Sequence, residues 1–278
     1  MDEHAHWLGR REEADDVCAL PLVRRVAALL DRDPAALQEG DELPTGWHVV
    51  LFAPATPQGG LGADGHPLSG GLLPPAPLPR RMLGGRRTRF AGPLRIGAAV
   101  RRVSEIAGVR ETQGRSGRLL VLTLRHTIGA ADQSAPAVIE EQDILYREAA
   151  RPGAVPPPLQ ETERPVARCS RDFTPDPVLL FRYSAITFNA HRIHYDQAYA
   201  TEREGYPGLI VNGGLTALLL LELLKEASGA APAAFAVRNR RPLICGRPAR
   251  LCVAQAASGW TLWAADERGR VALDATAA

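Results

Sequence analysis

The sequence lacks the features that mark secreted, zinc-bound and membrane-spanning proteins. Its four cysteines contain no Cys-x-x-Cys pair, so no zinc spacing is visible and a disulfide framework is not expected in a chain of 278 residues. The N-terminus is charged and has no apolar signal-peptide core. The longest strongly apolar run, Leu215 to Leu224, contains Glu222 and is too short to cross a bilayer. These absences predict a cytoplasmic protein with no membrane contact and no metal.

An excess of charge of either sign is also missing. The 33 basic and 31 acidic residues leave a formal charge of +2, which gives no overall attraction to nucleic acid or membranes. Nine arginines lie in residues 80–110, but Phe90 is the one aromatic residue among them, so the side chains that stack on bases are missing. Arginine suits phosphate and carboxylate ligands. The block is therefore either a set of solvated strand edges or a binding surface for a small anion.

The first 150 residues are predicted to form one unit with a helical N-terminal extension and a β-rich remainder. A helical apolar stripe begins near Leu20 and is interrupted at Asp33-Pro34. Residues 53–79 are rich in proline and glycine and contain the turn sequence Asp64-Gly65-His66-Pro67, so we expect a functional or covering loop there. Apolar runs between turn residues predict strands at 119–128 and 138–146.

A linker rich in proline, at 151–165, is predicted to lead into a second unit at 166–278. The apolar run that contains Leu215 predicts a buried central helix from about 213 to 227, which Gly229 and Pro232 would end. Strands are predicted at 178–183, 247–255 and 260–265, the last two as a hairpin.

The stretch from 181 to 199 carries the clearest chemical signal. Asn189, His191 and His194 lie within six residues and are followed by Asp196. Histidine is the side chain that titrates near neutral pH without perturbation, so imidazoles on an irregular segment before a helix are candidates for proton transfer. The segment is therefore predicted to be the catalytic part of the chain.

The start of the predicted central helix is a second candidate site. Asn212 is a possible N-cap, and Gly213 and Gly214 follow it without side chains. The first backbone N–H groups of a helix have no partner within it and lie at the positive end of its dipole. They would stabilise an oxyanion that approaches closely over the glycines, although a tight helix start in a core would have the same sequence.

These motifs resemble the MaoC-like double hot-dog hydratases and dehydratases, which act on acyl thioesters. That family has the pattern Gly-Asp-x-Asn-Pro-x-His, whose Asp and His hold the reacting water. Aligned on the last histidine, His194 matches the catalytic His and Asn189 replaces the Asp, while His191 and Arg192 replace the Asn and Pro. An amide accepts a hydrogen bond from water but is not a general base.

The run Thr187-Phe-Asn-Ala-His-Arg-Ile-His-Tyr-Asp196, with Trp47-His48 and Asp64-Gly65-His66-Pro67, resembles the mesaconyl- and itaconyl-CoA hydratase subgroup, which has a FAS1-like dehydratase N-terminal domain. The resemblance implies an α+β fold of two tandem hot-dog units, with antiparallel sheets wrapped around central helices. The N-terminal unit would be degenerate and the C-terminal unit catalytic. The implied protein is a homodimer that needs no cofactor, since coenzyme A belongs to the substrate.

The resemblance further implies reversible addition of water to the 2,3-double bond of a short branched dicarboxylyl-CoA, such as itaconyl-, mesaconyl- or methylfumaryl-CoA, giving citramalyl-CoA-type products. His194 would move the proton and Asn189 would hold the water, while His191 would either take part in catalysis or orient its neighbours. Gly213 and Gly214 would bind the enolate oxygen. The residues expected to bind substrate are Arg192, Arg86, Arg87 and Tyr195.

Two other functions stay open. A 3-hydroxyacyl-thioester dehydratase of fatty-acid synthesis, acting on carrier-protein or CoA thioesters, would use the same residues on longer, uncharged chains. A non-catalytic acyl-CoA-binding protein would keep the fold and show no turnover that depends on His194. A hot-dog thioesterase is the weaker expectation, because it would release free thiol.

Overall fold

The computed structural model describes residues 4–68, 71–74, 78, 80–114, 117–148 and 163–278. In these residues ten strands form one antiparallel sheet, accompanied by three α-helices and short helical turns. The strands are β1 Arg11–Val17, β2 Arg80–Phe90, β3 Ala99–Gly114, β4 Gly117–Ala130, β5 Val138–Arg147, β6 Cys169–Phe173, β7 Ala234–Asn239, β8 Ala249–Gln255, β9 Trp260–Ala265 and β10 Val271–Ala277. The helices are α1 Leu20–Leu29, α2 Pro177–Ile186 and α3 Gly213–Ser228.

The sheet consists of two halves with the same internal order. The strand order is β1-β3-β4-β5-β2-β7-β10-β9-β8-β6, so each half contributes five strands and the halves meet where β2 pairs with β7. Read from its outer edge, the second half runs β6-β8-β9-β10-β7, which repeats the connectivity of the first. Antiparallel register across the junction places Thr88 opposite Phe235. Two similar units are thus joined edge to edge into one continuous sheet.

The helix α3 is the centre of the C-terminal half. It packs against β6, β8, β9 and β10, and Trp47 of the N-terminal half donates to Glu222 of the helix, so its leucines are buried on more than one side. The helix ends at Gly229, whose φ of 72° is the left-handed conformation of a helix C-terminus. The predicted helix at 213–227 and the predicted hairpin, formed by β8 and β9, are confirmed.

The N-terminal half covers its sheet in a different way. Among the residues described there, α1 is the one α-helix, and it packs against α2 of the other half. Leu72 and Leu78, from the stretch rich in proline and glycine, form a separate apolar cluster with strand residues that include Leu120 and Leu122. The expected covering loop is confirmed by these contacts.

The strand predicted at 178–183 is wrong, because these residues belong to α2. The Asp176 side chain accepts a hydrogen bond from the Leu179 N–H at 2.7 Å, and Pro177 occupies the first helical position. A short apolar run does not distinguish strand from helix, and the Asp-Pro start decides between them. No individual strand was predicted at β1, β2, β3, β6, β7 or β10. The β1 edge strand is largely charged and half exposed, so it lacks apolar alternation.

The predicted linker at 151–165 lies mainly outside the described residues, and the unit boundaries stay a prediction. No helix in the described part of the chain is long and apolar enough to span a membrane. The four cysteines, Cys18, Cys169, Cys245 and Cys252, are all free thiols.

Candidate active site

The histidine segment connects α2 to the approach of α3 through a sharp turn. Phe188 has a φ of 49°, and the Asn189 N–H donates to the Ser184 carbonyl at 2.8 Å. The side-chain Oδ1 of Asn189 accepts the His191 N–H at 3.0 Å, which is an Asx turn. Asn189 therefore shapes the segment with its oxygen, and its Nδ2 group makes no hydrogen bond with the residues that the structure describes.

His194 is held as a neutral imidazole. Its buried ring places Nδ1 2.8 Å from the Ile210 carbonyl oxygen, which is an acceptor, so Nδ1 carries the proton and Nε2 has the free lone pair. Burial lowers the pKa of His194 to about 4, although the bond to Ile210 opposes the shift. The Ile210 N–H donates to the Ile193 carbonyl at 2.9 Å, so the histidine is tied to the segment that starts α3.

His191 stands beside His194 and is also uncharged near neutral pH. The ring centroids of the two histidines are 5.4 Å apart in an edge-on arrangement. Burial, reinforced by the neighbouring imidazoles of His66 and His194, lowers the pKa of His191 to about 3. On its other side the ring of His66 lies at 4.1 Å. The structure thus places a third imidazole in the site, from the other half of the chain.

A loop of the N-terminal half is docked on the histidine segment. Residues 61–67, here called the covering turn, close on themselves through a bridge between Leu61 and Pro67. The Arg192 N–H donates to the Asp64 carbonyl at 2.9 Å. Gly65 has a φ of 89°, and a Cβ built on it would lie 1.8 Å from the Ala190 carbonyl oxygen. Only glycine permits this approach, so the turn Asp64-Gly65-His66 is shaped for this contact.

Asp64 and His66 form a hydrogen-bonded pair within the covering turn. Asp64 Oδ2 lies 2.8 Å from His66 Nδ1, and Asp64 Oδ1 accepts the His66 backbone N–H at 2.9 Å. An ionised carboxylate only accepts hydrogen bonds, so the His66 proton is on Nδ1. In the neutral ring, Nε2 then has a lone pair that accepts a hydrogen bond. Burial and the nearby Arg81 lower the pKa of His66, which outweighs the opposing effect of Asp64.

Asp64 and His66, together with His191, are the one group in the described part of the chain with the composition of a metal site. Ligand atoms of Asp64, His66 and His191 lie within 4.8 Å of one another. Both carboxylate oxygens of Asp64 are already bonded to His66, however. The arrangement fits a carboxylate that orients an imidazole better than three ligands that converge on an ion.

The start of α3 is held against two polar side chains. A Cβ on Gly213 would lie 2.8 Å from Asn239 Oδ1, and one on Gly214 would lie 2.3 Å from Tyr183 Oη. These neighbours explain why both positions are glycine. Asn212 is 2% exposed, and its side-chain amide has no hydrogen-bond partner among the described residues. The N–H groups of Gly213 and Gly214 come first in the helix and stay the predicted oxyanion donors.

Arg86 lies near this helix start, in a buried polar cluster. Its Nε is 3.3 Å from Glu140 Oε1, while Glu140 Oε2 lies 3.1 Å from His48 Nε2 and 3.1 Å from Thr88 Oγ1. Burial alone would raise the pKa of Glu140, but the charge of Arg86 and the bond to His48 lower it strongly. Arg86 and Gly214 line the same small cavity between β2 and α3.

The structure does not bring the other predicted substrate-binding residues to this cavity. Arg87 follows Arg86 on β2 and so points to the opposite face, where both terminal nitrogens bond Asp143. Arg192 binds Asp196 Oδ2 through Nε and Nη2 and the Ala63 carbonyl through Nη1, so it braces the covering turn. Tyr195 is exposed and donates to the Ala190 carbonyl at 3.0 Å.

Residues 46–245 match the family described as hydroxyacyl-thioester dehydratase type 2. The chain belongs to this family. It is 42% identical over 272 residues to the mesaconyl-C(4)-CoA hydratase of Chloroflexus aurantiacus. The alignment covers 97% of this chain and 95% of that hydratase. It is 36% identical over 91 residues to the mitochondrial hydroxyacyl-thioester dehydratase type 2 of Schizosaccharomyces pombe, covering 32% of this chain and 30% of the relative. The predicted resemblance is confirmed, and the chain is an enzyme of the hydratase and dehydratase class.

Solved structures support the fold. HtdX of Mycobacterium tuberculosis has a TM-score of 0.68 at 21% identity and covers 96% of this chain and 99% of its own. A MaoC-like dehydratase of Phytophthora capsici aligns with a TM-score of 0.70 at 15% identity. The alignment covers 99% of this chain and 97% of the dehydratase. A further Mycobacterium tuberculosis protein, described as having a double hot-dog fold, aligns with a TM-score of 0.58 at 16% identity. The alignment covers 97% of this chain and 95% of that protein. The predicted double hot-dog fold is confirmed.

Proposed function

We propose that the protein reversibly adds water to the 2,3-double bond of a short branched dicarboxylyl-CoA of the mesaconyl, itaconyl or methylfumaryl type. The observation that carries the proposal is the 42% identity, over 97% of the chain, to a mesaconyl-C(4)-CoA hydratase. The products would be citramalyl-CoA-type hydroxyacyl thioesters. The thioester activates the double bond, so the residues of the site need to move a proton and stabilise charge.

The neutral His194 is suited to the proton transfer. Its free Nε2 takes a proton from water as the water oxygen bonds to C3. The electrons of the double bond move toward the thioester carbonyl and form an enolate. Backbone N–H groups of Gly213 and Gly214 stabilise the enolate oxygen, since they have no partner in α3. His194 then returns the proton to C2, so the addition leaves the enzyme unchanged.

Asn189 is suited to holding the water. Its Oδ1 is occupied by the His191 N–H at 3.0 Å, which leaves Nδ2 as a donor to the water oxygen. An amide does not take up a proton, so this role is orientation, and the basic group must be an imidazole.

Arg86 is the arginine best placed for the second carboxylate of the substrate. The described residues give its two terminal nitrogens no hydrogen-bond partner, and the guanidinium borders the cavity that reaches Gly214. Its side chain is 19% exposed, so a carboxylate there would be largely shielded from water. A planar guanidinium binds a carboxylate through two parallel hydrogen bonds, which selects a dicarboxylyl over a simple acyl group.

The family description and the fission-yeast relative favour a second function, the dehydration of hydroxyacyl thioesters. The same residues would run the reaction in reverse, with His194 removing the proton at C2. This function predicts faster turnover of longer, uncharged substrates and no effect of Arg86 on substrate choice.

The test is the loss of enoyl-thioester absorbance with mesaconyl-, itaconyl- and crotonyl-CoA. Wild type is expected to turn over a dicarboxylyl substrate while CoA stays esterified, and His194→Ala is expected to lose this turnover. The control is His6→Ala, which removes an exposed imidazole near the N-terminus. Preference for crotonyl-CoA would support the second function, and turnover by His194→Ala equal to wild type would refute the assignment of the base.

A further inference from the structure

The replacement of the family aspartate by Asn189 leaves the attacking water without one of its acceptors. Water that is about to attack keeps one lone pair for C3 and needs acceptors for both of its hydrogens. His194 Nε2 provides one acceptor. On the histidine segment the nearby carboxylate, Asp196, is bound to Arg192 and to the Tyr199 N–H, so it is not directed at the site.

We propose that His66, oriented by Asp64, is the second acceptor of the attacking water and a catalytic residue from the N-terminal half. The inference rests on the proposed function. The water would donate one hydrogen to His194 Nε2 and the other to His66 Nε2, accept from Asn189 Nδ2 and attack C3 with its remaining lone pair. All four hydrogen-bonding positions of the water are then used.

The position of the covering turn supports this assignment. The His66 ring lies 4.1 Å from that of His191, which in turn lies 5.4 Å from that of His194, so the three imidazoles form one group. The His66 side chain is 27% exposed, so water reaches it. The turn that carries it is fixed by the close approach of Gly65 to Ala190.

The tautomer of His66 is set by Asp64, which leaves Nε2 as an acceptor. The charged groups around the ring are Asp64 and Glu204, which favour the protonated form, and Arg81, which opposes it, while His191 is an uncharged neighbour. A carboxylate behind Nδ1 also makes the ring more basic, so Nε2 is a stronger hydrogen-bond acceptor for the water.

The first test separates a catalytic role from a structural one. We expect His66→Ala to lower kcat about 100-fold with little change in KM, because the attacking water loses a hydrogen bond that holds it, and a displacement of about 1 Å costs about 100-fold. Asp64→Asn should have a similar effect. The fixed His66 backbone N–H would bind the amide oxygen of Asn, so the NH₂ group would face Nδ1 and force the proton onto Nε2. The matched control is Leu68→Ala, because Leu68 is 67% exposed just beyond the covering turn.

The second test is rescue. Asn189→Asp restores the carboxylate of the family pattern, so the double variant with His66→Ala should recover at least 10-fold in kcat over His66→Ala alone, within the range of one acid–base group. The variants are compared by circular dichroism and thermal melting to confirm that they fold. No rescue in folded protein, or a wild-type kcat for His66→Ala, would overturn the proposal.

A metal role for the same residues is tested in parallel. Loss of wild-type activity on EDTA treatment and its recovery with Zn²⁺ would overturn the assignment of His66 as a water acceptor. Activity that resists EDTA supports the assignment. Failure of the proposed function itself is distinguishable, because wild type would then hydrate neither mesaconyl-CoA nor itaconyl-CoA.

Discussion

The contact between the covering turn and the histidine segment predicts a large effect for Gly65→Ala. The substitution places a Cβ 1.8 Å from the Ala190 carbonyl oxygen at a position with φ of 89°. The left-handed conformation alone costs a non-glycine residue about 1–2 kcal/mol. Backbone cannot yield to this overlap, so the covering turn must move away from the histidine segment.

The cost of that movement follows from the contacts that the turn makes. It gives up the Arg192 N–H bond to the Asp64 carbonyl and the Arg192 Nη1 bond to the Ala63 carbonyl. One neutral and one charge-assisted hydrogen bond are together worth about 2–4 kcal/mol. For a chain of this size we expect the melting temperature to fall by about 5–10 °C. Displacement of His66 by about 1 Å is expected to lower kcat about 100-fold.

The assay compares Gly65→Ala with Gly59→Ala in melting temperature and in hydration rate. Gly59 is the matched control, because a Cβ there meets no atom within 4 Å and its φ is not in the left-handed region. Gly59→Ala is expected to behave as wild type in both measurements. A Gly65→Ala variant with wild-type kcat would refute the view that the covering turn belongs to the active site.

Three further predictions concern the helix start, the substrate and pH. Gly214→Ala adds a Cβ 2.3 Å from Tyr183 Oη and should lower kcat for every substrate, measured by enoyl absorbance, whereas an unchanged kcat would refute the oxyanion role. Arg86→Gln should raise KM for mesaconyl-CoA but not for crotonyl-CoA, with Arg87→Gln as a control on the opposite face, and equal effects on both substrates would refute the carboxylate role. The folded-state pKa of His194 is lowered to about 4 from 6.5, so the unfolded state binds more protons between these values. His194 should therefore contribute a fall of about 3 kcal/mol in the free energy of unfolding as pH drops from 6.5 to 4, and urea unfolding should show a smaller drop in His194→Gln.

The sequence was sufficient to predict the elements whose signal is local. The apolar run of α3, the hairpin of β8 and β9 and the histidine segment all carry their pattern within a few residues. The edge strand β1 was missed because its charged residues are half exposed, and α2 was mistaken for a strand because a short apolar run fits both.

The contribution of the N-terminal half to the site was not visible locally. Asp64 and His66 were interpreted as turn residues, and Ala63 is separated by 129 residues in sequence from the Arg192 side chain that it contacts. Only the folded sheet, in which β2 pairs with β7, brings such distant segments together. Strand alternation could have separated Arg86 from Arg87, since neighbouring residues of a strand point to opposite faces.

We claim that the His194 site hydrates an enoyl thioester, and an isotope experiment tests this. Wild type and His194→Ala are incubated with mesaconyl-CoA in water labelled with ¹⁸O, and the acyl-CoA is measured by mass spectrometry. We predict that wild type adds one ¹⁸O atom to the acyl group with the thioester intact, and that His194→Ala adds none. Label in a free acid together with released CoA, or equal labelling by His194→Ala, would contradict the claim.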